Sequence, residues 1–261
     1  MNLQERIERY IKRGCQQPDA EILVLIEECA SGLFSSFPER FILVGGATLV
    51  LLYESPRVSR DLDLVPRSEE LPSSQEIQSA AKASIQTAAE ALGLGKLDFR
   101  QTGTNSGLIK FWVESNGQRL FSIDLTRIGG TVLSSEIIQE KIAGDDDKTV
   151  AAPSANHLLL QKCETFLDRR FVKARDAFDI DYLFSKGAKL DDVLSAHLED
   201  FILMHEEWDS EFIRSRINGI DSKRCTAELR LVLPTEVFEE LAKKDFEQLR
   251  HSLESAFARW L

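Results

Sequence analysis

The sequence is short of the residues that many site chemistries need. Its 261 residues include four cysteines, Cys15, Cys29, Cys163 and Cys225, with no C-x-x-C pair among them. That spacing argues against a zinc site or a disulfide framework, and the thiols are expected to be ordinary buried residues. The four histidines, His157, His197, His205 and His251, are all expected on helices, and no signature of a serine or cysteine nucleophile accompanies them. No G-x-x-x-x-G-K-[ST] run occurs, which argues against a P-loop NTPase. Basic excess is missing too: with 32 Lys and Arg against 43 Asp and Glu the net charge is −11. No global field draws in nucleic acid, so such contacts would need local clusters. MNLQERIERYIKRG is charged from its start and lacks the apolar centre of a secretory signal. Residues 41–53, the longest apolar stretch, are broken by glycines and fall short of the roughly 20 residues of a membrane span. A cytoplasmic protein with no membrane contact is expected.

What is present reads as two parts. Apolar spacing predicts helices over 3–13 and 19–34, with Pro18 and Asp19 at the start of the second. Residues 41–44 are a short apolar run stopped by Gly45 and Gly46, a buried strand turning into a helix near Ala47. A loop at 57–60 leads to 61–65, which alternates acid and aliphatic in the period of a strand. Pro72, Ser73 and Ser74 open an alanine-rich helix that closes near Gly93. Residues 97–101 are a candidate strand. The runs 108–115 and 118–126 are β-prone and joined by Asn116-Gly117, the dipeptide suited to a two-residue type I′ hairpin. After the acidic turn at 144–147 and Pro153, with Ser154 as an N-cap, nearly everything reads as helix. The fold expected is α+β: a mixed sheet flanked by helices over 1–150, with a helical N-terminal extension, then a helical domain over 151–261.

Two like charges in one apolar strand need a reason. Residues two apart face the same way, so Asp61 and Asp63 stand side by side while Leu62 and Leu64 enter the core. Parallel carboxylates repel unless a divalent cation reverses the sign, and oxygen ligands are what Mg²⁺ requires. The plainer alternative is a solvated edge strand. Asp124, set among apolar residues in FSIDL, adds a third carboxylate on a later strand, and three carboxylates on adjacent strands suffice to hold metal ions against a triphosphate. The glycine pair lets a backbone approach phosphate oxygens closely. Farther on, Lys162 and Arg169 lie two turns apart on an expected helix, facing nearly the same way, a suitable phosphate clamp or else a solvated face with ordinary ion pairs.

The order glycine pair, short helix, Ser59-Arg60-Asp61-Leu62-Asp63-Leu64, then a lone Asp124 resembles the DNA-polymerase-β-type nucleotidyltransferase superfamily. Within it, FILVGGATL through RVSRDLD is similar to the AbiEii/AbiGii-type toxin nucleotidyltransferases. A second match is independent of the first: KCETFLDR from Lys162 to Arg169, followed by ARDAFDIDYL, resembles that family's helical-domain signature. Pro56 stands where the family often has histidine, and Ala47 where it often has serine or threonine. The resemblance implies transfer of a nucleoside monophosphate from an NTP to an acceptor hydroxyl, most simply RNA or a tRNA end, by a toxin paired with an antitoxin protein. It implies Mg²⁺ or Mn²⁺ on Asp61, Asp63 and Asp124, and nucleotide contacts from Gly45, Gly46, Arg57, Ser59, Lys162 and Arg169. Lys162 and Asp176 would join the catalytic set, Asp176 as base or as an orienting group. Arg57, Arg60 and Arg67, or Arg169, Arg170, Lys173 and Arg175, are the candidate RNA-backbone contacts. AMP addition to protein, an aminoglycoside-type acceptor and a catalytically silent nucleotide-binding module are the alternatives.

Overall fold

The structure, a computed structural model, describes residues 1–67, 70–103, 108–126, 136–142 and 148–261. The acidic turn expected at 144–147 lies outside the described residues. The chain divides into two compact units, Met1–Pro153 and Ser154–Leu261.

The first unit opens with α1 (Leu3–Lys12) and α2 (Gln17–Ser36). Asn2 and Glu5 form a reciprocal capping box that starts α1, and Pro18 falls in the first turn of α2, where its missing N–H costs nothing. A buried ionic cluster ties the two helices: Arg6 and Arg9 both reach Glu27, whose side chain is fully buried, and Tyr10 donates to it at 3.0 Å. Lys148 reaches Glu28 at 3.0 Å from far along the chain.

There follow β1 (Phe41–Val44), α3 (Gly45–Leu51), β2 (Asp61–Pro66), α4 (Ser74–Ala91), β3 (Leu97–Thr102), β4 (Leu108–Ser115) and β5 (Gln118–Thr126). These strands form one mixed five-stranded sheet in the order β1-β2-β5-β4-β3, with β2 and β5 parallel and the other pairs antiparallel. The alternation in β2 and β5 sends Leu62, Leu64, Phe121, Ile123 and Leu125 into a buried core with α2 and α4. The acids are left on the opposite face. Asn116 and Gly117 both take positive φ, at 49° and 77°, as the type I′ turn demands. A separate two-stranded sheet, β6 (Ile137–Lys141) and β7 (Thr149–Pro153), was not legible as strands in the sequence.

The second unit is seven helices: α5 (Ala155–Asp168), α6 (Ala174–Ser185), α7 (Asp192–Leu203), α8 (Ser210–Asn218), α9 (Ser222–Leu229), α10 (Thr235–Lys243) and α11 (Glu247–Ala256). Ser154 caps α5 by accepting from the His157 N–H. One histidine departs from expectation: His205 lies between α7 and α8, outside a helix, with its ring stacked on Trp208 at 3.8 Å. All four cysteines are buried and free, and burial pushes their thiols up, Cys15 to about 11 and Cys225 to about 12, which removes them as thiolate nucleophiles near neutral pH. No helix among the described residues is long and apolar enough to cross a membrane.

Candidate active site

The polar face of the sheet gathers the carboxylates by register. Asp63 on β2 lies directly opposite Asp124 on β5, and Asp61 lies opposite Ser122. Paired residues on neighbouring strands share a face, so the three acids occupy one patch. Val44, Asp63, Asp124, Lys110 and Thr102 form one transverse row across all five strands. Like charges directly opposite destabilise a sheet, so this row costs free energy unless something offsets it.

Part of that offset is present. Lys110 Nζ lies 2.6 Å from Asp124 Oδ2, and both side chains are largely shielded from water. The Ser122 hydroxyl donates to Asp61 Oδ1 at 2.8 Å. Asp124 Oδ1 is buried and lacks a hydrogen bond among the described residues.

Gly45 and Gly46 are glycine for a local reason. Gly45 takes φ +74°, where a side chain is strained, and a Cβ there would lie 3.0 Å from Asp63 Cγ and closer still to its Oδ2. At Gly46 a Cβ would sit 2.7 Å from Ser59 Oγ and 3.1 Å from Arg57 Cζ. The glycine pair therefore forms the floor against which Asp63, Arg57 and Ser59 are set, and Arg57 and Ser59 are both buried. The helix that starts here is α3, at Gly45 rather than near Ala47, and it has only seven residues.

Do these residues suit a divalent ion? Their donors are hard carboxylate oxygens, and the glycine floor leaves the Asp63 carboxylate room that any Cβ would fill. Among the described residues, however, no three His, Cys, Asp or Glu side chains are gathered into a ready-made metal cluster. Mg²⁺ is commonly held by one or two carboxylates together with substrate phosphates and water, rather than by an all-protein cage. Asp61 and Asp63 fit that mode.

In the second unit the expected clamp is drawn differently. Lys162 Nζ is 2.8 Å from Asp179 Oδ2, a side chain with no exposure, and Arg169 Nε is 2.5 Å from Asp176 Oδ2, whose side chain is 1% exposed. Both cations of the expected clamp are thus paired with buried acids of the next helix. Helix α5 ends at Asp168; Arg169 is its C-cap, with ψ 134° leading the chain out of the helix toward α6, which carries Asp176. Glu164, half-buried on the same helix, is pushed up to about 7 by burial alone.

The clusters offered for RNA contact are mostly engaged. Arg57 is buried, Arg60 pairs with Asp19 at 2.7 Å, Arg169 with Asp176, and Lys173 with Glu228 at 3.5 Å. Sequence reasoning missed Lys110, Ser122 and the pairing role of Asp179. The signal for the first two was available, since both share the polar alternation of their strands with Asp124.

Residues 31–260 match the family model described as nucleotidyl transferase AbiEii toxin, type IV toxin–antitoxin system. A search of curated proteins finds no match. Among solved structures, the chain is similar to a protein from H. pylori proposed to be a nucleotidyltransferase, with 16% identity, 94% of this chain and 97% of that one covered and a TM-score of 0.59. It is also similar to JHP933 from Helicobacter pylori, at 15% identity, 90% coverage of each chain and a TM-score of 0.55. At these identities the likeness is one of fold.

Proposed function

This chain belongs to the AbiEii family of nucleotidyltransferase toxins, and we propose that it moves an NMP from an NTP to an acceptor hydroxyl on RNA, with the sheet's polar face as its reaction centre. The observation that carries this reading is the register of β2 and β5, which sets Asp63 opposite Asp124 with Asp61 on the same face and the glycine floor beside them. Asp61 and Asp63 would hold Mg²⁺ or Mn²⁺, which when bound neutralises charge at the α-phosphate and acidifies the attacking hydroxyl. The Gly46 N–H, Ser59 and Arg57 would hold triphosphate oxygens, which need N–H and O–H donors in a fixed arrangement. Ser122 fixes the Asp61 carboxylate by donating to one of its oxygens, leaving the other for a ligand.

Lys162 and Arg169 are proposed as phosphate-neutralising groups of the helical unit. Arg169 is the more accessible, at 35% exposure of its side chain. The burial of Asp176 and its pairing with Arg169 favour an orienting role for it over that of a base. A type IV system supplies an antitoxin, so a cognate antitoxin protein is the expected partner.

Incubation with each α-labelled NTP, Mg²⁺ and total cellular RNA tests the reading. Label should enter RNA with the native chain and vanish with an Asp61→Ala, Asp63→Ala double variant. Label in protein alone would overturn the RNA acceptor, and undiminished transfer by the double variant would overturn the site.

A further inference from the structure

We propose that Lys110 is a resident cation at the third carboxylate, so that the centre takes one divalent ion, on Asp61 and Asp63, and the Lys110 ammonium stands where a second would be held. This rests on the reaction centre assigned above and refines it. Lys110 is directly opposite Asp124 in the β4–β5 ladder, and Asp124 is directly opposite Asp63 in the β2–β5 ladder. The ammonium therefore belongs to the same transverse row as the acids. Its nitrogen is 2.6 Å from Asp124 Oδ2, with side-chain exposures of 23% and 16%. A pair this shielded keeps its strength, unlike an exposed surface pair that water and salt screen.

Two further contacts fix the lysine in that place. Its nitrogen lies 4.4 Å from the centroid of the Trp112 ring, the next residue on the polar face of β4, so the ring holds the charge from a second direction. A β-bulge between Val113 and Glu114 sets the ladder so that Lys110, and not Ile109, faces Asp124. A second divalent ion on Asp124 would have to share its carboxylate with this ammonium, at like-charge distance. The absence of any three-carboxylate metal cluster among the described residues agrees with this arrangement. Lys110 is thus a positioning residue: it holds Asp124 as one partner of an ion pair, and a neutral side chain would free that carboxylate for a metal.

Counting Mn²⁺ ions bound per chain by electron paramagnetic resonance tests the proposal without recourse to activity. The native chain should bind one Mn²⁺, and Asp124→Asn should leave that ion in place with its affinity little changed, whereas loss of a true ligand or its support costs about 10–100-fold. Lys110→Met should acquire a second Mn²⁺, and Lys110→Arg, which keeps the charge, should not. Two ions on the native chain, loss of the ion in Asp124→Asn, or a folded Lys110→Met that still binds one would each overturn the proposal. Should Lys110→Met fail to fold, the native count and the near-isosteric Asp124→Asn decide the matter. No Mn²⁺ on the native chain, either alone or with a non-hydrolysable NTP to complete the coordination, is a different failure, since it removes the metal-binding role of Asp61 and Asp63 and this inference with it.

Discussion

Gly45→Ala tests whether the glycine floor places the reaction centre. The substitution asks for a Cβ at φ +74° and drives it into the Asp63 side chain, 3.0 Å from Cγ and 3.1 Å from Cβ. Left-handed backbone costs a residue with a side chain about 1–2 kcal/mol, and a carboxylate pushed off its rotamer costs about 0.5–1.5 kcal/mol more. Stability should therefore fall by roughly 2–3 kcal/mol, which a domain with about 5–15 kcal/mol to lose survives. Transfer should fall much further, by about 100-fold, because a displacement near 1 Å of a ligating carboxylate spoils the reacting geometry. Urea unfolding measures the first effect, and transfer from an α-labelled NTP measures the second. Gly46→Ala is the companion: it crowds Ser59 and Arg57 instead, so it should raise KM for the NTP more than it lowers Mn²⁺ affinity. A Gly45→Ala protein that loses the stability but keeps the native transfer rate would refute the reasoning, since Asp63 would then have moved without consequence.

Lys162→Met removes the ammonium 2.8 Å from the fully buried Asp179 and should destabilise the chain by about 3–5 kcal/mol, measured by thermal or urea unfolding. A change under about 1 kcal/mol would show that the pair is solvated. Glu164, with its pKa raised to about 7 in the folded state, binds more protons there than in the unfolded chain between about pH 4.3 and 7, so stability falls as pH rises through that window. Glu164→Gln should flatten that slope and gain roughly 2 kcal/mol at pH 8, after a discount for partial exposure. Glu28 has the opposite sign: burial by itself would raise its pKa, but Arg6 and Lys148 outweigh it and hold it below the usual range, so its contribution is present above about pH 4.3 and lost as pH falls through the depressed value. Lys148→Met should therefore reduce the acid sensitivity of unfolding. Ser122→Ala removes the hydrogen bond to Asp61 Oδ1 and should cost about 0.5–1.5 kcal/mol, with a fall in Mn²⁺ affinity that a purely structural serine would not produce.

Much of the first unit was legible because its signals are local. The β4–β5 hairpin follows from Asn116-Gly117, two residues that tolerate positive φ, and the start of α4 from Pro72, Ser73 and Ser74, where the structure closes a capping box between Ser73 and Glu76. The end of α5 at Asp168 was not legible, since nothing in the local sequence at Arg169 forbids another helical residue. The β6–β7 sheet was missed for a similar reason: IIQEK and TVAAP are too short and weakly patterned to declare themselves without each other.

By itself the sequence determined that Asp61, Asp63 and Asp124 would each turn away from a core, because a strand's period of two sends alternate side chains to opposite faces whatever lies beside it. It did not determine which side chains meet. Continued unbroken from Ser115 and Gln118, the turn's register would have set Asp124 opposite Ile109, and the irregularity between Val113 and Glu114 moved Lys110 there instead. That choice belongs to the tertiary structure, because the buried partners Phe111 and Ile123 align on the core face only when the ladder slips by one residue.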